Sequence, residues 1–360
     1  MELKRIEQKV KSGERISRDD VIALFYSDDL LSIGRMAEHV SNKKNGKNVY
    51  FIKNRHINPT NICINRCQLC AFSKDKNEID SYGMTIGEVI DKVRKSEKGI
   101  NEFHIVGGLN PELDLNYYLN LLRSLKKLFP NIHIQAFTAV EIDFLANISD
   151  LTVGEVLALL MKAGLGSLPG GGAEIFDSSV RRAICEKKIS GERWLEVMEI
   201  AHSLGVRSNA TMLYGHVETY EDRVNHLDML RKLQDKTGGF QSFIPLSFHP
   251  SNTRLSSLVT RHWTTGFDDL KTLAISRMFL DNFDHIKAFW IMLGEKIAQV
   301  SLNFGVDDID GTVVEEKITH AAGAQTGEEM SKEELIHLIK EAGRIPVERD
   351  TLYNVVKVYE

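Results

Sequence analysis

From about residue 50 onward, short apolar runs alternate with longer amphipathic stretches. The short runs have the length of buried strands, and the longer stretches have the spacing of helices with one apolar face. Strands that alternate with helices typically form parallel sheets covered by those helices, so eight such strands predict a (β/α)8 TIM-type barrel. The predicted strands cover residues 49–57, 102–106, 132–136, 166–168, 206–212, 241–246, 286–290 and 306–309.

The predicted helices carry local start and stop signals. A Thr or Ser followed three residues later by Glu can satisfy two free backbone N–H groups at a helix start, as at Thr85, Thr152 and Ser331. The fourth and eighth strands have the weakest patterns, and without the eighth we expect an open partial barrel. The helices are predicted near residues 85–98, 114–128, 152–163, 190–203, 219–236, 267–281 and 294–303.

Three regions are expected along the chain. Residues 1–47 predict an N-terminal helical extension, residues 48–310 the barrel, and residues 311–360 a C-terminal helical tail packed on the barrel. A chain of 360 residues is long enough for one large domain or two modest ones.

Composition excludes several classes of function. The net charge of −5 gives no basic excess of the kind that nucleic-acid binding requires. No apolar run approaches the roughly 18 residues of a membrane span, and the polar start of the chain lacks the apolar core of a signal peptide. We therefore expect a cytoplasmic protein that binds neither nucleic acid nor membrane, with an oligomeric state that the sequence leaves open.

Three of the four cysteines lie close together. Cys63, Cys67 and Cys70 have the spacing Cys-x3-Cys-x2-Cys in a loop after the first predicted strand. Iron–sulfur clusters are held by thiolates, and a four-iron cluster with three protein ligands leaves one iron open for a further ligand. The fourth cysteine, Cys185, is more than a hundred residues away and is expected to be a small buried apolar residue.

A zinc site or three ordinary buried cysteines are the alternatives. Structural zinc requires four ligands, and His56 or His104 could supply the fourth. The spacing and the position after a strand favour the cluster, but the residues alone leave the other two open.

The cysteine loop resembles that of the radical SAM superfamily, in which the open iron chelates the amino and carboxylate groups of S-adenosylmethionine (SAM). This resemblance implies a [4Fe-4S] cluster on Cys63, Cys67 and Cys70, and one-electron cleavage of SAM to methionine and a 5′-deoxyadenosyl radical. Leu69 departs from the family pattern, which usually has an aromatic residue before the last cysteine.

The same resemblance implies cofactor-binding positions. Gly107 and Gly108 correspond to the backbone that holds the methionine amino group, although a tight turn would also explain two glycines. Glu174 corresponds to a carboxylate that accepts hydrogen bonds from the ribose hydroxyls of SAM. Phe72 is assigned to the cofactor site. Arg193 corresponds to an arginine that pairs with the methionine carboxylate, or it is a solvated helix charge.

Longer strings narrow the resemblance to the branch of the superfamily that serves menaquinone biosynthesis. Ser167-Leu168-Pro169-Gly170-Gly171-Gly172-Ala173-Glu174-Ile175 indicates this branch. Residues 104–109, 244–250, 311–317 and 349–354 most resemble its members that add the 5′-deoxyadenosyl radical to 3-[(1-carboxyvinyl)oxy]benzoate, which gives 6-amino-6-deoxyfutalosine. SAM would then be a co-substrate, and a reduced flavodoxin or ferredoxin-type protein the electron donor.

The enol-ether benzoate carries two carboxylates, which need cationic or hydrogen-bonding partners. Two alternatives to this reaction remain: a sister radical SAM enzyme such as dehypoxanthine futalosine cyclase, or a non-catalytic metal-binding scaffold or electron carrier. Five polar residues at predicted strand ends are the catalytic and substrate-binding candidates: His249, Asn58, Asn61, His56 and Arg66.

Overall fold

A curled sheet of seven parallel strands forms the centre of the molecule. The structure is a computed structural model that describes residues 2–95, 99–257 and 264–360. In those residues the strands are β1 (Asn48–Ile52), β2 (Asn54–Ile57), β3 (Glu102–Ile105), β4 (His133–Ala136), β5 (Ser167–Leu168), β6 (Arg207–Tyr214), β7 (Phe240–Ser247), β8 (His285–Ile286), β9 (Asp308–Gly311), β10 (Ile345–Arg349) and β11 (Val355–Val358). The central sheet runs from β2 to β8 in chain order, and each strand is parallel to the next. The predicted alternation of parallel strands and helices is therefore confirmed.

A second sheet has the order β11-β10-β1-β9. It divides the predicted first strand, residues 49–57, into β1 and β2, which belong to different sheets. β10 is parallel to β1, and β11 is antiparallel to β10. The prediction of a wholly helical tail is thus wrong, since residues 345–358 contribute two strands rich in β-branched residues.

The segment around β9 contacts both edges of the central sheet. Beside β8, the backbone N–H of Ala288 donates to the carbonyl of Asp308 at 2.8 Å. Beside β2, the N–H of His56 donates to the carbonyl of Val314 at 3.0 Å. Residues 308–314 therefore lie between the first and last strands of the curled sheet.

The helices of the described residues include most of those predicted. The predicted capping boxes at Thr85, Thr152 and Ser331 all form. Three further helices, α6, α8 and α12, were not predicted, and residues 96–98 of the first predicted barrel helix lie outside the described residues. The helices are α1 (Glu2–Ser12), α2 (Arg18–Tyr26), α3 (Leu30–Asn45), α4 (Ile86–Arg94), α5 (Leu115–Leu128), α6 (Ala139–Ser149), α7 (Val153–Ala163), α8 (Ser178–Cys185), α9 (Gly191–Ser203), α10 (Tyr220–Thr237), α11 (Gly266–Phe279), α12 (Trp290–Leu293), α13 (Glu295–Ser301), α14 (Ile318–Ala321) and α15 (Lys332–Glu341).

The last two predicted barrel strands are shifted. Residues 286–290 were predicted as one strand, but β8 ends at Ile286 and α12 begins at Trp290. The indole N–H of Trp290 donates to the carbonyl of Gly311 at 2.9 Å, so this side chain ties α12 to β9. The strand predicted at 306–309 corresponds to β9.

Within the described ranges, no single helix is both long and apolar enough to cross a bilayer. α6 and α7 reach that length and apolarity only as a pair, and they are bent by 106° relative to each other.

Candidate functional site

A cavity of about 330 Å³ lies inside the curled sheet, where the carboxyl ends of the strands meet. This is the end at which barrel enzymes place their functional groups. The cavity is lined by nine of the residues that the sequence singled out: Cys63, Cys67, Cys70, Phe72, Gly107, Gly108, Glu174, His56 and His249. Four others do not line it: Asn58, Asn61, Arg66 and Arg193.

The cysteine loop follows β2 and is fixed by backbone hydrogen bonds to distant segments. The N–H of Cys63 donates to Lys74 O at 3.0 Å, and the N–H of Gln68 donates to Ile184 O at 2.9 Å. Within the loop, the N–H of Cys70 donates to Cys67 O at 3.1 Å. Backbone hydrogen bonds to residues outside the loop therefore fix its conformation, and the three thiols face the cavity.

The three cysteines fit a cluster. All are free, and Cys67 is 6% exposed. Burial raises the pKa of the Cys67 thiol to about 12, so a thiolate there needs a bound cation to offset its charge. Among residues 2–95, 99–257 and 264–360, no three His, Cys, Asp or Glu side chains converge closely enough to hold one metal ion. A four-iron cluster does not need such convergence, because each thiolate binds a different iron.

Cys185 does not line the cavity. It is 1% exposed at the end of α8, and burial raises its thiol pKa. The expectation of a small buried apolar residue at this position is confirmed.

Gly107 and Gly108 are required by the approach of the cysteine loop to β3. A Cβ on Gly108 would overlap the carbonyl oxygen of Ile62, and one on Gly107 would lie 3.2 Å from Thr60 O. The N–H of Gly108 donates to Thr60 O at 3.0 Å. Both glycines line the cavity, and the absence of a side chain allows the backbone of the cysteine loop to pack against the backbone after β3.

Glu141 is a cavity residue that the sequence analysis missed. It is the third residue of α6 and forms a capping box with Thr138, and its carboxylate accepts from the Gly107 N–H at 3.0 Å. Burial raises the pKa of Glu141 to about 7, while the hydrogen bonds from Thr138 and Gly107 act in the opposite direction. The Thr138-x-x-Glu141 pattern directly after a predicted strand was the signal that could have identified it.

Glu174 lies in the loop after β5 with a φ of 48° and forms an ion pair with Lys188. Burial acts to raise the pKa of Glu174, but the ammonium of Lys188 holds it below its usual value. Lys188 also faces the cavity and lies near Cys67, whose thiol pKa its charge lowers. The carboxylate predicted for ribose recognition is therefore ionised and already has one partner.

Arg193 lies on α9, away from the cavity. Its guanidinium pairs with Asp143 at 2.7 Å and with Glu196 at 2.7 Å. The structure thus does not bring Arg193 to the other predicted cofactor residues; it places the side chain in an ion-pair network between α9 and α6.

Three other predicted substrate residues hold the loop framework. Asn58 donates to Val106 O at 2.9 Å, and Asn61 both donates to Asp80 O and accepts from the Tyr82 N–H, each at 2.8 Å. Arg66 donates to Ser73 O and pairs with Asp75 at 3.3 Å. None of the three lines the cavity, and their polar groups are used in contacts within the cysteine loop and with the end of β3.

The two predicted histidines lie on different walls of the cavity. Nε2 of His249 hydrogen-bonds Met292 O at 2.9 Å; it must carry the proton to do so. His56 stacks on His104 across the β2–β3 pair, with ring centroids 4.4 Å apart and planes inclined by 10°. Because His56 and His104 are register partners on adjacent parallel strands, their rings meet on the inner face of the sheet.

Comparison with known proteins gives two family matches that together span most of the chain. Residues 57–230 match the radical SAM superfamily, and residues 237–360 match the CofH/MqnC C-terminal region. The first match contains the cysteine loop and the glycine pair, and the second contains β7 to β11.

Similar curated proteins cover the chain from end to end. An aminodeoxyfutalosine synthase from Thermus thermophilus is 46% identical over 99% of this chain and 96% of its own. An aminodeoxyfutalosine synthase from Streptomyces coelicolor is 45% identical over 99% of this chain and 95% of its own. A 5-amino-6-(D-ribitylamino)uracil–L-tyrosine 4-hydroxyphenyl transferase from Methanothermobacter thermautotrophicus is 42% identical over 98% of both chains.

Solved structures agree at the level of the fold. A crystal structure of methylornithine synthase superposes with a TM-score of 0.74 at 18% identity and covers 94% of this chain and 96% of the other. At that identity the agreement concerns the architecture only.

Proposed function

The chain belongs to the radical SAM superfamily, and within it we propose that the protein is an aminodeoxyfutalosine synthase of menaquinone biosynthesis. The reaction adds the 5′-deoxyadenosyl group of SAM to the vinyl carbon of 3-[(1-carboxyvinyl)oxy]benzoate. Rearrangement onto the ring and loss of the carboxyl group as bicarbonate, which consumes one water, give 6-amino-6-deoxyfutalosine, and methionine is released from SAM. A [4Fe-4S] cluster and SAM are the cofactors of this superfamily, and when bound they supply the radical.

One observation carries the proposal: the 46% identity to a synthase of this name extends over 99% of the chain, including the segments that line the cavity. An identity confined to the cysteine loop would support only the superfamily. Here the identity also includes the segment from β7 to β11. The loops after β7, β8 and β9 contain His249, Lys287 and Glu316, which line the cavity.

The proposed roles follow from where the side chains lie. Cys63, Cys67 and Cys70 hold the cluster, and the adjacent Gly107-Gly108 backbone and Glu174 bind SAM. His249 and His56 bind the enol ether from two walls. Asn58, Asn61 and Arg66 act as positioning residues for the loop, since their hydrogen bonds are made to backbone and to other loop residues.

The cavity also suits the exclusion of water. Leu213, Ile244, Leu246, Phe248 and Phe289 line it on the side of β6 to β8. An apolar wall keeps a reactive carbon away from solvent and fixes the contact between the two reactants, which is the main demand of this reaction.

The decisive experiment is turnover with defined substrates. Anaerobically reduced enzyme given SAM and 3-[(1-carboxyvinyl)oxy]benzoate should form an adenosylated product with the mass of 6-amino-6-deoxyfutalosine. Formation of free 5′-deoxyadenosine alone, with the enol ether unreacted, would contradict the proposal.

A second candidate is supported by the archaeal relative. Its 42% identity covers 98% of both chains, so the same assay should include 5-amino-6-(D-ribitylamino)uracil with L-tyrosine. A third arm with dehypoxanthine futalosine tests the sister cyclase. Product in either of these arms, and none with the enol ether, would reassign the enzyme within the superfamily.

Three finer points belong to the same proposal. The segment 308–314 lies between β8 and β2, where an eighth strand would complete a (β/α)8 arrangement; the barrel would then extend from β2 to residue 314, with β1 in the second sheet. A reduced flavodoxin or ferredoxin-type protein supplies the electron. A cytoplasmic location fits a cluster enzyme that needs reduced thiols.

A further inference from the structure

Lys287 directly follows β8, and its side chain lines the cavity. The residue is 6% exposed, and Nζ donates to the carboxylate of Asp310 at 3.0 Å. The backbone N–H of Lys287 donates to Phe243 O at 2.9 Å, which fixes the position of its main chain. An ammonium has three N–H donors, so the bond to Asp310 leaves donors for a ligand.

Lys287 is the cavity-lining lysine that lies away from the cysteines and from the Glu174–Lys188 ion pair. In the part of the chain that the structure describes, Lys188 and Lys287 are the lysines and arginines that line the cavity. Lys188 is paired with Glu174 near the cysteines. A bound carboxylate in this mostly apolar cavity needs a cation or several hydrogen-bond donors, and Lys287 is the group placed to provide them.

His56 lines the same cavity as Lys287 and supplies a second donor. The imidazole is 7% exposed and stacked on His104, and its Nε2 makes no hydrogen bond. Burial lowers the pKa of His56, and the nearby charges of His104 and Lys287 lower it further, so the ring is neutral. A buried nitrogen without a partner costs about 1–3 kcal/mol, and a ligand that bonds to it removes that cost.

The two acidic groups at this end already have partners. Asp310 accepts from Lys287, and the carboxylate of Glu102 lies 3.8 Å from Nδ1 of His104. Burial acts to raise the pKa of Glu102, but His104 and Lys287 bring it down to about 2, which keeps it ionised beside them.

The position along the barrel indicates which part of the substrate would reach these groups. His104 precedes Gly107 by three residues, and a strand advances about 3.3 Å per residue, so the stacked histidines lie about 10 Å further into the barrel than the glycine pair. The vinyl carbon must lie at the cluster end, next to SAM. The ring carboxylate is at the far end of the substrate from the vinyl carbon.

We infer that Lys287 binds the ring carboxylate of the enol-ether substrate, with Nε2 of His56 as the second donor and Asp310 as the residue that positions the ammonium group. This inference rests on the proposed function, because it takes its ligand from that reaction. Lys287 thereby selects a benzoate over a plain phenyl ether and sets the distance between the vinyl carbon and SAM.

The test compares two substrates in two enzymes. 2-Phenoxyprop-2-enoate is the substrate without its ring carboxylate. In the wild type, kcat/KM should be about 10- to 100-fold higher for the benzoate, the range that one charge-assisted hydrogen bond gives. In Lys287→Met this preference should disappear, chiefly through a higher KM for the benzoate.

A binding measurement tests the same contact without turnover. 3-Hydroxybenzoate and phenol are the ring fragments with and without the carboxylate, and calorimetry on the cluster-loaded protein gives their dissociation constants. The wild type should bind 3-hydroxybenzoate more tightly than phenol, and Lys287→Met should bind both alike.

The matched control is Lys271→Met. Lys271 is also a buried lysine, but it lies on α11 and donates to Phe25 O and Ser27 O outside the cavity. This variant should lose stability and keep the full preference for the benzoate. Lys287→Gln, which retains a neutral donor, should keep part of it.

The outcomes separate the two proposals. A benzoate preference that persists in full in folded Lys287→Met would overturn the inference, and so would failure of both Lys287 variants to fold, because Lys287 would then serve the fold alone. A wild type that leaves the enol ether unreacted would refute the proposed function instead; the fragment measurements would still decide whether Lys287 binds a ring carboxylate.

Discussion

The α-carbon of Gly108 packs directly against the carbonyl oxygen of Ile62. A Cβ at Gly108 would fall well inside van der Waals contact of that oxygen and would also approach the side chain of Cys63. The end of β3 and the cysteine loop are therefore in backbone contact, and this contact sets how far the first cysteine extends into the cavity.

We expect Gly108→Ala to displace the cysteine loop and lower cluster content. The new methyl group would meet backbone atoms, which cannot rotate away as a side chain could. Iron and sulfide analysis after anaerobic reconstitution should show a loss of at least half of the cluster. Gly87→Ala is the control, because Gly87 lies on α4 with only Thr85 Oγ1 near a new Cβ, at 3.9 Å. Full cluster content in Gly108→Ala would contradict the role assigned to this contact.

Replacing Cys67 by Ala should abolish the four-iron cluster while the fold persists. Cys67 is buried, and alanine removes only its sulfur, so the packing loss is small compared with the loss of a ligand. Circular dichroism should remain that of the wild type, and the absorbance of the reconstituted cluster should vanish. Cys185→Ala removes an equally buried thiol that does not face the cavity, and it should keep the full iron content. A four-iron complement in Cys67→Ala would refute the ligand assignment.

The central sheet could be predicted from the sequence because each of its strands is a short apolar run between helical patterns. Even the weak strand at 166–168 is present, as β5. β11 was missed because it is exposed and short, so that it lacks an alternation of buried and exposed residues. β10 pairs with β1, nearly 300 residues earlier in the chain, and β11 pairs with β10, so the sheet depends on a long-range contact that no local pattern reveals.

The site was predictable where one loop carries the chemistry. The spacing of Cys63, Cys67 and Cys70 is local, and so is the Gly107-Gly108 pair. Lys287 and Glu141 were missed because their importance arises from contacts between separate strands, such as Glu141 with the Gly107 N–H. Arg193 illustrates the reverse error: a matching motif did not reveal that Asp143 and Glu196 occupy its guanidinium group.

Glu141 should make the protein less stable as the pH rises from about 4.5 to about 7. Burial raises its pKa to about 7 from the ordinary value of 4.5, so within this interval the folded chain binds more protons than the unfolded chain. The free energy of unfolding then falls with pH, by about 3 kcal/mol in total, and the contribution is constant above pH 7. In thermal melts between pH 5 and 8, the stability of Glu141→Gln relative to the wild type should rise with pH.

Glu155→Gln is the control for that measurement. Glu155 occupies the same capping position on α7, but it is exposed, and the hydrogen bonds from Thr152 lower its pKa. Its contribution is fully present above its unfolded pKa of 4.5 and is lost only on acidification below that value, so between pH 5 and 8 the difference between variant and wild type should not change with pH. Equal pH profiles for the two variants would show that burial does not raise the pKa of Glu141.

Asp307→Asn should destabilise the fold by about 3–5 kcal/mol, the range for breaking a buried ion pair. Asp307 is 1% exposed, pairs with the buried guanidinium of Arg277, and accepts from Nδ1 of His285 at 2.6 Å and from the Ile286 N–H at 2.9 Å. One carboxylate thus ties α11 and β8 together, and an amide would leave Arg277 without a counter-charge. Chemical denaturation should show the loss, whereas Asp284→Asn, at a largely exposed side chain 3.7 Å from Lys44, should change stability by less than about 0.5 kcal/mol. A loss at Asp307 no larger than that control would mean that the pair contributes little to holding α11 and β8 at the edge of the central sheet.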